Sequence, residues 1–333
     1  MNNILCSIII PYYNVPEELV NKCLLSIYNQ NWGEHCYEVI FVNDGSPLPI
    51  SNSTKEIFSK FQFFTIIEQD NQGPGNARNN GISRAKGDYL FFIDPDDYWI
   101  QNSIENLFPY LQGSKYDLIK FTTLNSNPRQ THEYNICCSG VEYMSKHNIL
   151  NGVCSYCFRT KFIKDNGIVM PNILNIEDKI FLYYAFYYAK TYIQTNINLY
   201  YYYYREHSLT KHSNQEAWNR VLNNSLAGIK LITRFRENEI KYNHLTEIQL
   251  TAHNTAYYTI VIDHIYQIFK GSYSKINREA HLSKLKETVP FPLPKIKHSL
   301  KYTIFRIASS NYYFMLMLCK SIHIAYAFLR KRY

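Results

Sequence analysis

At 333 residues, with 46% hydrophobic and 19% charged residues, the chain can bury a full core and is long enough for more than one domain. The net charge of +8 is local: no acidic residue follows Glu287, whereas Lys295, Lys297, Lys301, Arg306, Lys320, Arg330, Lys331 and Arg332 do. Removing those 8 from 35 basic residues leaves 27 against 27 acidic ones, so the body is neutral by count and offers no basic stripe for nucleic acid.

Eight cysteines are spaced irregularly, and Met1, Asn2 and Asn3 lead straight into a strand-like run without a signal-peptide pattern. The expectation is a reducing cytoplasm with free thiols. Cys137–Cys138 and Cys154–Cys157 do not match the two spaced pairs of a zinc ribbon, so they read as ordinary thiols.

In chain order, residues 5–10 (Leu-Cys-Ser-Ile-Ile-Ile) read as a buried parallel strand ended by Pro11. Pro16, Glu17 and Glu18 open a helix whose apolar face is Leu19, Val20, Cys23, Leu24 and Ile27. Residues 37–42 form a second strand, and Asn43-Asp44-Gly45-Ser46-Pro47 turns off its end. A helix over 56–61 and a strand over 63–67 follow. Gly73-Pro74-Gly75 starts a helix that runs to Ala85 and is closed by Gly87. Residues 89–93 (Tyr-Leu-Phe-Phe-Ile) are a buried strand running directly into Asp94-Pro95-Asp96-Asp97. A helix near 103–111 and a strand over 117–123 complete an alternation that predicts a mostly parallel sheet with helices on both faces.

Three carboxylates at one strand end are costly to bury, so they are expected to face solvent or a cation. Oxygen ligands at that spacing suit Mg²⁺ or Mn²⁺ shared with phosphates. The plainer reading makes Asp97 the cap of a helix starting near Ile100. Asp44 also sits just past a strand, at the edge where α/β sheets gather ligands. Arg78 lies in the first turns of the Gly-Pro-Gly helix, and Tyr13 offers a ring just past the first strand.

SIIIPYYN (7–14), FVNDGS (41–46), NQGPGNARNNG (71–81) and GDYLFFIDPDD (87–97) together resemble the family 2 glycosyltransferases over residues 4–210. The resemblance implies the GT-A fold, a Rossmann-like, mostly parallel α/β sheet with helices on both faces; a helical C-terminal extension is expected from the apolar spacing beyond it. The resemblance also implies transfer from a nucleotide-sugar, a UDP-sugar above all, with inversion. Carried over residue by residue, Asp44 contacts the base of the donor and Arg78 its base or ribose; Pro11 and Tyr13 are expected beside them in the nucleotide-sugar site. Asp94 lies near the ribose and Asp96 ligates Mg²⁺ or Mn²⁺. Pro95 replaces a more usual small residue, which stiffens the turn. Glu177-Asp178 matches the family's second acidic motif, with Asp178 as the base that deprotonates the acceptor hydroxyl. Residues 199–204 with Arg205, His207 and Ser208 resemble the aromatic strand and polar loop that close the site. Arg205 would offset diphosphate charge, and His207 stands where a glycine is common.

From Trp218 onward the apolar spacing is helical, so the chain divides into a catalytic domain over 1–215 and a helical region over 216–333. Pro290, Pro292 and Pro294 read as a hinge into a tail at 290–333. Arg306, Lys320 and Ser309-Ser310-Asn311 interrupt its apolar run, which fits an interfacial segment on anionic lipid better than a spanning helix. The expected partners are a nucleotide-sugar donor, a saccharide or lipid-linked acceptor of surface-polysaccharide assembly, and the inner face of the plasma membrane. Nucleic acid is not among them. Two alternatives stand beside this: a non-catalytic glycan- or membrane-binding protein on the same fold, and a dinucleotide oxidoreductase. The second is disfavoured because the G-x-G-x-x-G spacing begun at Gly73 fails at Arg78.

Overall fold

The structure is a computed structural model describing residues 4–124, 136–149, 152–204, 215–270, 274–296 and 300–331. The chain forms two compact units. Met1–Tyr143 with Ile149–Ser208 make the first, and Met144–Asn148 with Leu209–Tyr333 the second.

The first unit is built on a nine-stranded sheet. Its strands are β1 (Ile4–Tyr12), β2 (Cys36–Asp44), β3 (Phe64–Gln69), β4 (Tyr89–Phe92), β5 (Tyr98–Trp99), β6 (Leu118–Leu124), β7 (Ile136–Cys138), β8 (Tyr156–Arg159) and β9 (Tyr192–Tyr201). The helices are α1 (Glu17–Tyr28), α2 (Asn52–Phe58), α3 (Pro74–Arg84), α4 (Phe108–Leu111), α5 (Gly140–Lys146), α6 (Thr160–Asp165) and α7 (Glu177–Tyr188). Strand order is β3-β2-β1-β4-β8-β6-β9-β5, with β7 on β9. β1 to β4 are mutually parallel, as their near-continuous apolar runs predict. Beyond β4 the sheet is mixed: β8 runs antiparallel to β4 and β6, while β9 is parallel to β6.

From β1 the chain winds outward through β2 and β3, then returns through α3 to place β4 on the other side of β1. The carboxyl ends of β1 and β4 therefore flank a topological switch point, where an open α/β sheet leaves a crevice. The core beneath is fully buried: Ile8, Ile9 and Ile10 of β1, Val39 and Phe41 of β2, Leu90 and Phe91 of β4. α3 lies tight on β1, since a Cβ at Gly81 would stand 2.5 Å from Ile9 Cγ2.

Several local expectations change. β1 continues through Pro11, which pairs with Val42. On the other side β4 ends at Phe92 opposite Ile9, so beyond that point β1 is an edge where a missing N–H is tolerated. α2 begins at Asn52, because Ser51 accepts a hydrogen bond from Thr54 N and caps it. Gly87 does not close α3, which ends at Arg84 with Ala85 as its cap. It is a glycine for space, since a Cβ there would lie 2.5 Å from Ser7 N. The helix expected at 103–111 is a 3₁₀ turn, Ile104–Leu107, followed by the single turn of α4.

The second unit is helical: α8 (Gln215–Tyr242), α9 (Glu247–Lys270), α10 (Lys275–Lys286), α11 (Leu300–Ala308) and α12 (Tyr312–Lys331). α8, α10, α11 and α12 all pack on α9. The proline-rich stretch is tied to α11, with Tyr302 Oη donating to Pro294 O at 2.7 Å and Leu293 N to Ser309 Oγ at 2.9 Å. Among the described residues no helix is long and apolar enough to cross a membrane.

Candidate active site

Asp44 ends β2 with its carboxylate buried. Oδ1 accepts from Gln69 Nε2 and Gln72 N, and Oδ2 from Gly73 N, each at 2.8 Å. The aspartate thereby pins the loop that launches α3. Gly73 takes φ 88°, a left-handed value that a glycine adopts without penalty. Of roughly four acceptor directions on a carboxylate, three are used, two by the loop and one by Gln69 at the end of β3.

That loop fixes α3, and α3 carries Arg78. The guanidinium is buried, yet it meets two carboxylates from distant parts of the chain. Nη2 donates to Asp94 Oδ1 at 2.6 Å and Nη1 to Asp178 Oδ1 at 3.1 Å. The turn after β4 and the first turn of α7 thus converge on one cation at the switch point. The Asp94 and Asp178 side chains keep 36% and 28% of their surface in contact with solvent, so each is both ion-paired and accessible. Burial raises the pKa of Asp178, Arg78 pulls it down, and the Asp94 charge pushes it up again.

Glu177 behaves differently from its neighbour. It packs beside Gly75, where an added Cβ would lie 3.3 Å from Glu177 Cγ, and its Oε2 is buried without a hydrogen-bond partner. Burial, then the Asp178 charge, raises its pKa to about 7. The acidic pair is therefore divided, one carboxyl on Arg78 and the other enclosed against α3.

Asp94-Pro95-Asp96-Asp97 is a tight turn closed by Asp97 N donating to Asp94 O at 3.0 Å, with proline at the position that favours its φ. Asp97 corrects both sequence readings: it neither faces solvent nor caps a helix. Its carboxyl is buried, accepting from Tyr200 Oη at 2.5 Å and from Tyr203 N at 2.8 Å. Burial first, and the Asp94 charge second, raise its pKa to about 8. Asp96, between them, is half-buried. Tyr200 and the buried state of Asp97 escape sequence reasoning because the partners lie 103 residues apart.

At the end of β1, Pro11 is buried and Tyr13 is 47% exposed. Asn14 N donates to Ser46 Oγ at 3.0 Å, joining the turns that follow β1 and β2. A cavity of about 260 Å³ opens beside them, lined by Tyr12, Asn14, Pro16, Phe41, Leu48 and Ser51. Arg205, His207 and Ser208 lie outside the described residues. Arg78 is thus in direct contact with both Asp94 and Asp178, Asp96 shares the turn of Asp94, and Asp44, Pro11 and Tyr13 line adjoining strand ends.

A family model described as glycosyl transferase family 2 matches residues 7–160, which hold β1 to β4, α3 and the Asp94–Asp97 turn. The chain carries a family 2 glycosyltransferase domain. It is 30% identical over 205 residues to the poly(ribitol-phosphate) beta-glucosyltransferase of Bacillus spizizenii, covering 59% of this chain and 32% of that protein. The chain thus spans about a third of that relative's length. Among solved structures, residues 1–349 of S. aureus TarS in complex with UDP-GlcNAc match with a TM-score of 0.56 and 18% identity, covering 86% of this chain and 89% of that one. A mannosyltransferase of Pyrobaculum calidifontis, in complex with GDP-Man and Mn²⁺, matches with a TM-score of 0.55 and 12% identity over 96% and 86% of the two chains. These likenesses show the GT-A fold that the four motifs imply. The family match removes the dinucleotide alternative, since the Gly73 loop belongs to a glycosyltransferase motif.

Proposed function

We propose that this glycosyltransferase moves a sugar from a nucleoside-diphosphate donor, a UDP-sugar first, to a saccharide or lipid-linked acceptor with inversion. The observation that carries the proposal is the contact of Arg78 with both Asp94 and Asp178 at the switch point. It brings a donor-side carboxylate and a candidate base to one place and keeps both in touch with solvent. TarS with UDP-GlcNAc supports uridine, and the relative that glucosylates poly(ribitol phosphate) supports a surface-polymer acceptor.

In this reading Asp178 takes the proton of the acceptor hydroxyl as that oxygen attacks the anomeric carbon. The bond to the diphosphate breaks on the opposite face, its electron pair leaving with the diphosphate, and one in-line displacement inverts the centre. Arg78 favours the ionised form of Asp178, the form able to accept the proton. Asp44 holds the loop before α3 and has one acceptor direction left for the base. Pro11 and Tyr13 border the nucleotide, and Arg205, as the family resemblance implies, offsets diphosphate charge.

A divalent ion fits the donor set here. Among the described residues no three His, Cys, Asp or Glu side chains cluster into a metal cage. Asp96, half-buried in the turn, seconded by the accessible Asp94, would hold Mg²⁺ or Mn²⁺, since such hard ions are usually bound through one or two carboxylates together with substrate phosphates. When bound, the ion supplies positive charge against the departing diphosphate.

The tail supports a cytoplasmic enzyme held peripherally at the inner face of the plasma membrane. α11 exposes Leu300, Ile304 and Ile307 on one stripe, while Tyr302, Phe305 and Ala308 are buried. α12 exposes Tyr313, Phe314 and Met317. With the basic excess confined to this region, each Lys or Arg near an anionic surface adds about 1 kcal/mol. The donor reading is tested by thermal denaturation with UDP-, GDP- and dTDP-sugars, with and without Mn²⁺. A true donor raises Tm in the presence of metal, because it binds only the native state. No response to any of them would reject the reading.

A further inference from the structure

The carboxylates of the Asp94–Asp97 turn are anchored by a pair of side chains outside the residues proposed to touch the donor. Tyr200, near the end of β9, is buried, and its hydroxyl serves two groups of the turn at once. It accepts from Asp94 N at 3.2 Å and donates to Asp97 Oδ2 at 2.5 Å. Asp97 Oδ1 accepts from Tyr203 N at 2.8 Å. The same junction is laced by strand pairing: Tyr98 opposes Tyr201, Trp99 opposes Tyr200, and Ile100 N donates to Leu199 O at 2.7 Å. The Tyr98 and Tyr201 rings stack at 4.6 Å. Two residues that touch no donor group in the proposed mechanism thus hold both ends of the turn, one through a backbone N–H and one through its own carboxyl.

We propose that Tyr200 and Asp97 are positioning residues that aim Asp94 and Asp96 at the metal–diphosphate, and that they bind the chain at 201–203 to that turn. A purely structural buried network would be served by any partner that satisfies Asp97. Here the phenol oxygen also takes Asp94 N, so moving Tyr200 moves the residue paired to Arg78. Partners that orient metal-ligating carboxylates commonly matter 10–100-fold for metal affinity, by order of magnitude. The inference rests on the donor reading given above.

The test uses the full chain and calorimetric titration of UDP, and separately GDP, across a series of Mn²⁺ concentrations, for the wild type, Tyr200→Phe and Asp97→Asn. Tyr200→Phe keeps the ring and removes both hydroxyl bonds. Asp97→Asn keeps an acceptor for Tyr203 N but turns a donor toward Tyr200 Oη, which already accepts from Asp94 N, and so orphans the phenol proton. Both variants are expected to need about tenfold more Mn²⁺ for half-maximal nucleotide affinity. Melting temperature is recorded alongside, because a purely structural role lowers Tm and leaves the Mn²⁺ requirement unchanged. Variants that match the wild type's Mn²⁺ requirement would overturn the positioning role while leaving the donor reading intact. A wild type that binds neither nucleotide at any Mn²⁺ concentration would overturn both.

Discussion

Arg78 sits where a buried cation is matched by two carboxylates that must also remain available for chemistry. Its effect on Asp178 is to lower a pKa that burial raises, so the acid limb of kcat/KM marks that balance. Arg78→Gln removes the lowering influence, and the acid limb of the pH profile is expected to move to higher pH. An unmoved or lowered limb would separate Asp178 from the titration. Glu177 supplies a second residue-scale prediction. Its folded pKa of about 7 lies above the ordinary glutamate value of 4.5, so the native state keeps a proton that the unfolded chain gives up. The stability this carboxyl contributes is complete below about pH 4.5 and is lost as pH rises through about 7. Glu177→Gln does not titrate, so its stability advantage over the wild type should be small at pH 5 and grow to at most about 3 kcal/mol above pH 7.5. Denaturant melts across that range check it, and a gap independent of pH would contradict it. The sequence marks Glu177-Asp178 as an acidic pair at a helix start, but nothing in it tells which member is enclosed. That is decided by Gly75, about a hundred residues earlier in the chain.

At the scale of elements, the crevice depends on how closely α3 and β4 approach β1. A Cβ at Gly87 would meet the backbone of Cys6 and Ser7 at 2.5–2.6 Å, and backbone cannot swing aside. Gly87→Ala should therefore destabilise the protein by about 1–3 kcal/mol or more, read as a lower denaturation midpoint with an unchanged m-value. A neutral effect would show that the β1–β4 edge is looser than described. β1, β2 and β4 are legible in the sequence because buried parallel strands carry long apolar runs, and the turns off their ends carry the Asp, Gly and Pro that mark them; β3, at the sheet edge, has only the short run 63–67. β5 and β7, of two and three residues, have no period of their own and exist only through pairing with β9. The helix expected from Ser103 fails for a related reason. Gln30 reaches from the end of α1 to accept from Ser103 N and Ile104 N, which holds that stretch as a short turn.

For the whole molecule, fold and family are legible from four motifs in order, whereas the tail's role is argued from charge and exposure. Full-length protein should float with vesicles containing anionic phosphatidylglycerol and poorly with phosphatidylcholine alone. Replacing the exposed Ile304 and Ile307 by Asp should cut the bound fraction tenfold or more, since each isoleucine is worth about 1.5–3 kcal/mol when fully buried. Equal flotation of this variant would remove α11 from the membrane contact. The proposed reaction turns on Asp178 deprotonating the acceptor in a nucleotide-sugar-dependent transfer. Its most direct measurement is nucleoside diphosphate release by purified wild type and Asp178→Asn, with Mn²⁺ and the donor found by thermal screening. Asp178→Asn is expected to keep its Tm and donor affinity but to turn over slower by about 100-fold or more. Near-wild-type release by Asp178→Asn would contradict that role for Asp178.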